Sequence, residues 1–522
     1  MTRAVVIGGG LGGLAAAVRL RARGYDVTLL EALDSLGGRA RVFHRDGFTF
    51  DAGPTVITAP YLFDELFALV GRDARDYFEL IPVDPFYRIL FHEGGSFDFV
   101  GDEERLIEQI EQISPRDVDG YRRLAERARA IFDVGYMKLA DHPFDRLSTM
   151  LKVVPSMIRL ESYRSVHGLV ARYIRDPRLR QVFTFEPLLV GGNPFRTTSI
   201  YLLIHWLERQ WGVYFAKGGT GAIVQALARL LDELGVTVET NAPVERIDVH
   251  AGRVTGVVVE GGRRVPGDVV VANADPSMVY GKLIDAKYRA RHDDASLRRV
   301  KQSMSLFVGY FGVQQTYPDL AHHTIVLGPR YEDLLKDIFE RCVLADDFSL
   351  YLHAPMRSDA SLGPAGHENF YVLSPVPNNR SGIDWSARGD EYFDRILAEL
   401  ERRVIPGARG KIVTRHMMTP DDFEHTLRSA DGAAFGPEPL LTQSAWFRYH
   451  NRSPDVDGLY FVGAGTHPGA GVPGVLCSAK ILESLVPIPR RQSSRSNSVG
   501  TSSNFLGGRG QSSEIRGLRV KP

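Results

Sequence analysis

The chain has 522 residues, 44% of them hydrophobic and 24% charged, which is enough for two or three compact regions sharing a sizeable core. Its 63 basic and 63 acidic residues balance, so no overall field draws it to nucleic acid or to an acidic partner. Only two cysteines are present, Cys342 and Cys477, without CxxC spacing; this argues against a disulfide framework or a zinc site and for a reducing cytoplasm.

The N-terminus enters an apolar strand, Ala4-Val5-Val6-Ile7, directly, so no secretory signal is expected. Gly8-Gly9-Gly10-Leu11-Gly12-Gly13 then opens a helix predicted over Leu14–Arg23. Gly8 permits the tight turn, Gly10 lets a pyrophosphate approach the backbone, and Gly13 lets helix and strand pack closely. The free amides at the helix N-terminus favour an anion. The second strand, Val27–Leu30, ends in Glu31, about 20 residues beyond the glycines, where an acid receives ribose hydroxyls. A carboxylate there argues against NADP, whose extra phosphate it would repel. A second Gly-rich loop holds Leu36-Gly37-Gly38-Arg39-Ala40, and Asp51-Ala52-Gly53-Pro54-Thr55 follows.

From Tyr61 to about Glu208 the spacing is mostly helical, with apolar periodicity at Tyr61–Val70, Glu104–Ile113 and Tyr121–Phe132. Met150–Ile174 is apolar, aromatic and basic together, with Lys152, Arg159, Arg164 and Arg172. This marks a surface-docking stretch, or a helix pair covering a channel. Next come an amphipathic helix at Ala222–Leu234, a short strand at Val236–Thr240 and a hairpin-like stretch to Val271 turning at Gly261-Gly262. Strand-like runs follow at Ser305–Val313, Phe348–His353 and Phe370–Val376, with a helix at Glu391–Val404. The strand Gly458–Gly463, a Gly-rich turn and a helix from Gly474 to Leu485 close the folded part. No run of about 20 apolar residues suits a membrane-spanning helix.

Gly37-Gly38-Arg39 resembles the second glycine motif of flavin oxidoreductases related to amine oxidases. That resemblance implies that Arg39 and nearby backbone hold FAD phosphates, and that Gly53, Pro54 and Thr55 approach the flavin ring. It also implies that Val244 meets the adenine through its backbone. Gly463-Ala464-Gly465-Thr466 is a further anion and flavin turn. A nicotinamide enzyme would not need this distant piece, so FAD is the expected cofactor.

The run from Gly458 to Val475, GLYFVGAGTHPGAGVPGV, which includes Val472 and Pro473, resembles the signature of the bacterial and fungal type of phytoene desaturase. FTFDAGPTVIT (Phe48–Thr58), LLVGGNPF (Leu188–Phe195), WGVYFAKGGTG (Trp211–Gly221), FSLYLHAP (Phe348–Pro355) and LTQSAWFRYHN (Leu441–Asn451) are similar to family segments in family order. The resemblance covers roughly residues 4–486. It implies FAD-dependent desaturation of phytoene and of partly desaturated carotenes, with lycopene as product, neurosporene if one step fewer is taken, and oxygen or a quinone as acceptor. A redox-neutral carotenoid isomerase would share every flavin segment. An amine oxidase, or a flavin-free GDP-dissociation inhibitor on a related fold, fits the blocks less well.

The expected fold is α/β: a Rossmann-like FAD-binding domain built from residues 1–60, 210–280 and 445–488. A mainly helical substrate and membrane region, 61–209, and a mixed α+β substrate region, 281–444, are inserted. Residues 489–522 read as a disordered basic tail. A hydrocarbon substrate offers no polar grip, so an apolar channel lined from Tyr61–Glu208 and Met304–Phe311 is expected, with the enzyme on the cytoplasmic face of a membrane. No catalytic base is readable. His353 is taken as a satisfied core histidine, His467 as a loop-orienting one, and His322-His323 as a surface pair rather than a metal site. The resemblance would put an acid and an arginine after Pro143-Phe144, where Thr149 and Lys152 stand instead.

Overall fold

The computed structural model describes residues 1–489, which form one compact unit. The expectation of a disordered tail lies, apart from Pro489, outside the described residues.

Five parallel strands make the sheet at the base of the molecule, in the order Leu459–Phe461, Val269–Ala272, Arg3–Ile7, Asp26–Leu30 and Thr237–Glu239. They come from the three separated chain segments expected for the nucleotide domain. The first crossover is the helix Leu11–Ala22, which begins three residues before the predicted Leu14. This helix is buried on nearly all sides, so it has no polar face for a periodicity argument to detect. Its alanines and glycines let it pack closely against the sheet and against the last helix, Val472–Leu485.

Arg19 on that helix is buried, with its guanidinium paired to Glu483 at 2.6 Å and Glu65 at 3.1 Å. Glu65 also binds Lys480 at 2.9 Å. The N-terminal crossover, the helix Tyr61–Ala68 and the C-terminal helix are therefore tied by one ionic cluster. Strand order reverses at Arg3–Ile7, whose neighbours on the two sides continue in different chain directions. Such a switch point opens a crevice at the carboxyl ends of the strands.

A seven-stranded sheet forms the second layer, in the order Ile412–Met418, Ser305–Val313, Glu368–Val376, Leu350–His353, His323–Val326, Tyr87–Leu90 and Ser96–Phe99. The last two strands lie inside the region expected to be mainly helical, and they join strands of the region 281–444. The two inserted regions therefore share one sheet. Residues 61–209 are otherwise helical, including Glu103–Ile113, Val118–Gly135, Leu147–Arg159 and Leu203–Trp211. The strands Tyr87–Leu90 and Ser96–Phe99 are only four residues long, too short for their alternation to stand out beside strong helical signals.

Gly13 carries the tightest constraint in the base of the fold. A Cβ built on it would lie 1.9 Å from the Gly8 carbonyl oxygen, a contact that only a shift of helix against strand could relieve. Gly13→Ala is expected to cost about 1–3 kcal/mol through overpacking. It should lower the thermal midpoint and the fraction of chain purified with bound flavin; unchanged values for both would contradict this packing account.

Candidate flavin site and apolar chamber

A continuous cavity of about 560 Å3 starts at the switch point and runs between the two sheets. Its base is lined by Gly8, Gly10, Glu31, Gly38, Arg39 and Val244. Gly53, Pro54, Thr55, Gly463, Gly465, Val472 and Pro473 also line it. The structure thus brings together every residue expected at the cofactor except Gly13, which sits behind the loop as the packing glycine.

Glu31 is buried at the end of its strand. Its Oε2 accepts from the Gly9 amide at 2.6 Å and its Oε1 from the Leu33 amide at 2.9 Å. The carboxylate is held rigidly beside the Gly loop. Ala242, two residues before Val244, donates its amide to the Glu31 carbonyl at 2.8 Å, which brings that backbone to the same end of the cavity. Two helix N-termini, at Leu11 and Val472, border the space, and neither has an acid in its first turn. Both therefore present uncompensated positive dipole ends.

Arg39 donates to Ser429 Oγ at 2.6 Å, yet its enclosed Nε has no partner, and neither has that of Arg41 beside it. Burial lowers the pKa of the Arg39 guanidinium, an effect the Asp275 carboxylate opposes. Glycine backbone, unpartnered guanidinium N–H groups and two helix N-termini form a donor set suited to a pyrophosphate. The residues present therefore fit FAD.

Sequence reasoning missed Asn273, which follows the strand Val269–Ala272. Its Nδ2 donates to the Gly8 carbonyl at 3.3 Å, and its Oδ1 lies 2.5 Å and 2.6 Å from Cβ positions built on Gly12 and Gly463. An amide at the carboxyl end of a strand in this same sheet was the available signal.

Beyond the ring-facing segment the cavity is apolar. Leu188, Leu203, Ile204, Leu306, Ile325 and Leu373 are among its walls. The strand predicted to line it from Met304 to Phe311 does so with Met304 and Leu306 alone. Phe307 and Phe311 point through the sheet to pack on Phe393, as strand alternation requires.

One carboxyl interrupts the apolar helical wall: Glu208, also missed. Tyr87 donates its hydroxyl to Glu208 Oε1 at 2.7 Å, while Oε2 is buried without a partner. Burial, reinforced by the nearby Glu186, pushes the Glu208 pKa well above the usual carboxylate range. Perturbed carboxyls in a cavity wall are candidate acid–base groups.

The histidines correct two expectations. His322 and His323 are buried rather than a surface pair, because His323 starts an interior strand of the sheet. His353 is buried but not satisfied, since neither ring nitrogen has a partner. His467 is buried in its loop with its ring 4.8 Å from that of Phe144, and burial pushes its pKa down to about 3. It is therefore neutral at physiological pH.

This fold and site define a dinucleotide-dependent oxidoreductase with a deep apolar chamber. The family model described as flavin containing amine oxidoreductase matches residues 11–481. Similar solved structures include an oxidoreductase from Methanosarcina mazei (TM-score 0.63, 16% identity, covering 92% of this chain and 99% of that one). A putrescine oxidase variant gives TM-score 0.63 at 15% identity, over 92% of this chain and 98% of that one. A phytoene desaturase (lycopene-forming) of Pseudescherichia vulneris is 50% identical, over 93% of this chain and 99% of its own length. One from Pantoea ananas is 49% identical with the same coverage. A neurosporene-forming phytoene desaturase of Rhodobacter capsulatus is 43% identical over 93% and 94%. The chain belongs to the flavin-containing amine oxidoreductase family, within its phytoene desaturase branch, and is an FAD-dependent oxidoreductase.

Arg39→Ala removes charge-assisted donors from the pyrophosphate end. It is expected to weaken FAD binding by about 10–100-fold, the equivalent of about 1.5–3 kcal/mol. Titrating flavin-stripped protein with FAD by fluorescence quenching would measure it, and wild-type affinity in the variant would exclude Arg39 from the site.

Proposed function

We propose that this protein desaturates phytoene, and the partly desaturated carotenes that follow, to lycopene in four steps. The observation that carries the reading is the continuity of the cavity: the same space runs from the Gly8 loop past Thr55 into aliphatic walls. Phytoene is a hydrocarbon, so only such a chamber can bind it, at about 25 cal/mol per Å2 buried. The relatives at 50% and 49% identity are lycopene-forming, whereas the neurosporene-forming ones stand at 43% and 41%.

FAD bound by Glu31, Arg39, Val244 and the glycine turns supplies the hydride acceptor. Gly53-Pro54-Thr55 positions the reacting carbons, and Thr55 is itself fixed by a 2.5 Å hydrogen bond between its Oγ1 and the Tyr351 hydroxyl. The aliphatic walls exclude water. Glu208 takes the proton from the neighbouring carbon at its free Oε2, with Tyr87 holding the carboxylate through Oε1. Burial favours its protonated form, so the step draws on the ionised fraction, which is a stronger base than an exposed glutamate. Electrons pass on to oxygen or a quinone, and anaerobic turnover with a soluble quinone distinguishes the two.

Expression in a phytoene-accumulating bacterium should yield lycopene by pigment chromatography. A flavin-loaded protein giving only colourless phytoene, or an isomer with the same number of double bonds, would overturn the reading. Glu208→Gln should lower lycopene formation by about 100-fold or more with flavin content unchanged.

We propose further that the enzyme works at the cytoplasmic face of a membrane, since its substrate is soluble in the bilayer. No described helix is long and apolar enough to cross one. The helix Leu147–Arg159 supports surface docking: Val153 and Met157 line the cavity, while Leu147, Leu151 and Ile158 are more than half exposed. Of the four basic residues noted in this stretch, Arg164 and Arg172 are engaged with Glu161, while Lys152 and Arg159 are exposed outside that ion pair. Full-length protein should co-float with anionic liposomes at low salt. The Leu151→Ser/Ile158→Ser double variant should float less; equal flotation would exclude this helix as the docking surface.

A further inference from the structure

Three histidines meet where the seven-stranded sheet backs onto the ring-facing segment of the flavin site. His323 and His353 are cross-strand partners, and His322 precedes the first of these strands. Candidate ligand nitrogens on the three rings lie within 4.8 Å of one another. All three side chains are buried, as is Asp51, whose Oδ2 is 4.0 Å from His353 Nε2.

The hydrogen bonding leaves the inward-facing nitrogens bare. His323 donates Nδ1–H to the Phe86 carbonyl at 2.9 Å, which places the lone pair on Nε2. His322 uses Nδ1 with Ser358 Oγ at 2.7 Å. Nε2 of His322, Nε2 of His323 and both nitrogens of His353 are buried without any partner. An imidazole tied through one nitrogen to a carbonyl or hydroxyl, with the other free, is the arrangement of a metal-ligating histidine. Burial also lowers all three pKa values, that of His323 to about 4, so the rings are neutral. A cluster held only by packing would leave four buried ring nitrogens without hydrogen bonds, a costly arrangement.

We propose that His322, His323 and His353 form a binding site for a divalent first-row transition ion, with Asp51, which lies beside His353 and outside the histidine cluster itself, moving in as fourth ligand. Nitrogens on a tetrahedral zinc stand about 3.4 Å apart, given bonds near 2.0–2.1 Å, so the rings close inward by about 1 Å on binding. His353, which no hydrogen bond restrains, can make that movement. Asp51 Oδ1 stays anchored to the Thr220 amide at 2.8 Å. The ion would join Asp51, immediately before Ala52-Gly53-Pro54-Thr55, to two strands of the other sheet.

Because the ligands are buried, loading belongs to folding. Full-length flavoprotein from cells grown with added zinc is desalted and its metal counted by plasma mass spectrometry against bound flavin. Close to one zinc per flavin is expected. X-ray absorption should show nitrogen or oxygen neighbours at about 2.0–2.1 Å and no sulfur. His353→Gln should lower the metal content about tenfold or more at unchanged flavin content. Ser358→Ala, which removes only an outer partner, should weaken retention by about 10–100-fold against a chelator. Substoichiometric zinc, iron, copper and manganese in the wild type would overturn the proposal. So would full metal content in the His353→Gln variant, or wild-type retention against a chelator in the Ser358→Ala variant.

Discussion

Everything at the cofactor end depends on how closely three chain segments can approach the Asn273 side chain. The Gly8 loop, the start of the first helix and the Gly463 turn all crowd this amide, and side chains at Gly12 or Gly463 would collide with it. Asn273 answers the crowding with a hydrogen bond to Gly8. Backbone that packs this tightly can present its amides to an anion without intervening side chains. The glycine richness of both ends of the folded chain thus has one cause, since both ends converge on the same few ångströms.

The chemistry divides along the same cavity. At one end the glycine backbone lies beside the buried, unpartnered Nε groups of Arg39 and Arg41. At the other, aliphatic side chains dominate, and a single glutamate keeps a free oxygen. A charged cofactor and a hydrocarbon substrate make opposite demands on solvation. The structure meets both by setting the parallel sheet under one and the antiparallel strands and helices around the other. Thr55 and Tyr351 stand at the junction, linked by their hydroxyls.

The parts legible in the sequence were those with a local signature. The Gly8–Gly13 loop, Glu31 and the strand Ser305–Val313 follow from spacing and periodicity within one segment. The residues that escaped were those whose role appears only across segments. Glu208 looks like any polar residue ending an amphipathic helix until Tyr87, 121 positions earlier, is placed against it. His322 and His323 read as a polar surface pair because adjacent histidines seldom both face inward. One belongs to the strand and the other to the turn before it, so alternation does not separate them. The helix Leu11–Ala22 began earlier than predicted because glycines that usually discourage helix are tolerated here for close packing.

The position of the strand Leu459–Phe461 sets an order on the birth of the protein. It pairs with Val269–Ala272, and the turn after it supplies Gly463 and Gly465 to the cavity. A chain still emerging from the ribosome holds the Gly8 loop, Glu31 and Arg39 for most of its synthesis but lacks this wall. Domains generally fold as their segments emerge, yet this one cannot close until nearly the last described helix has been made. The flavin cradle is therefore complete only once this C-terminal segment has joined the sheet.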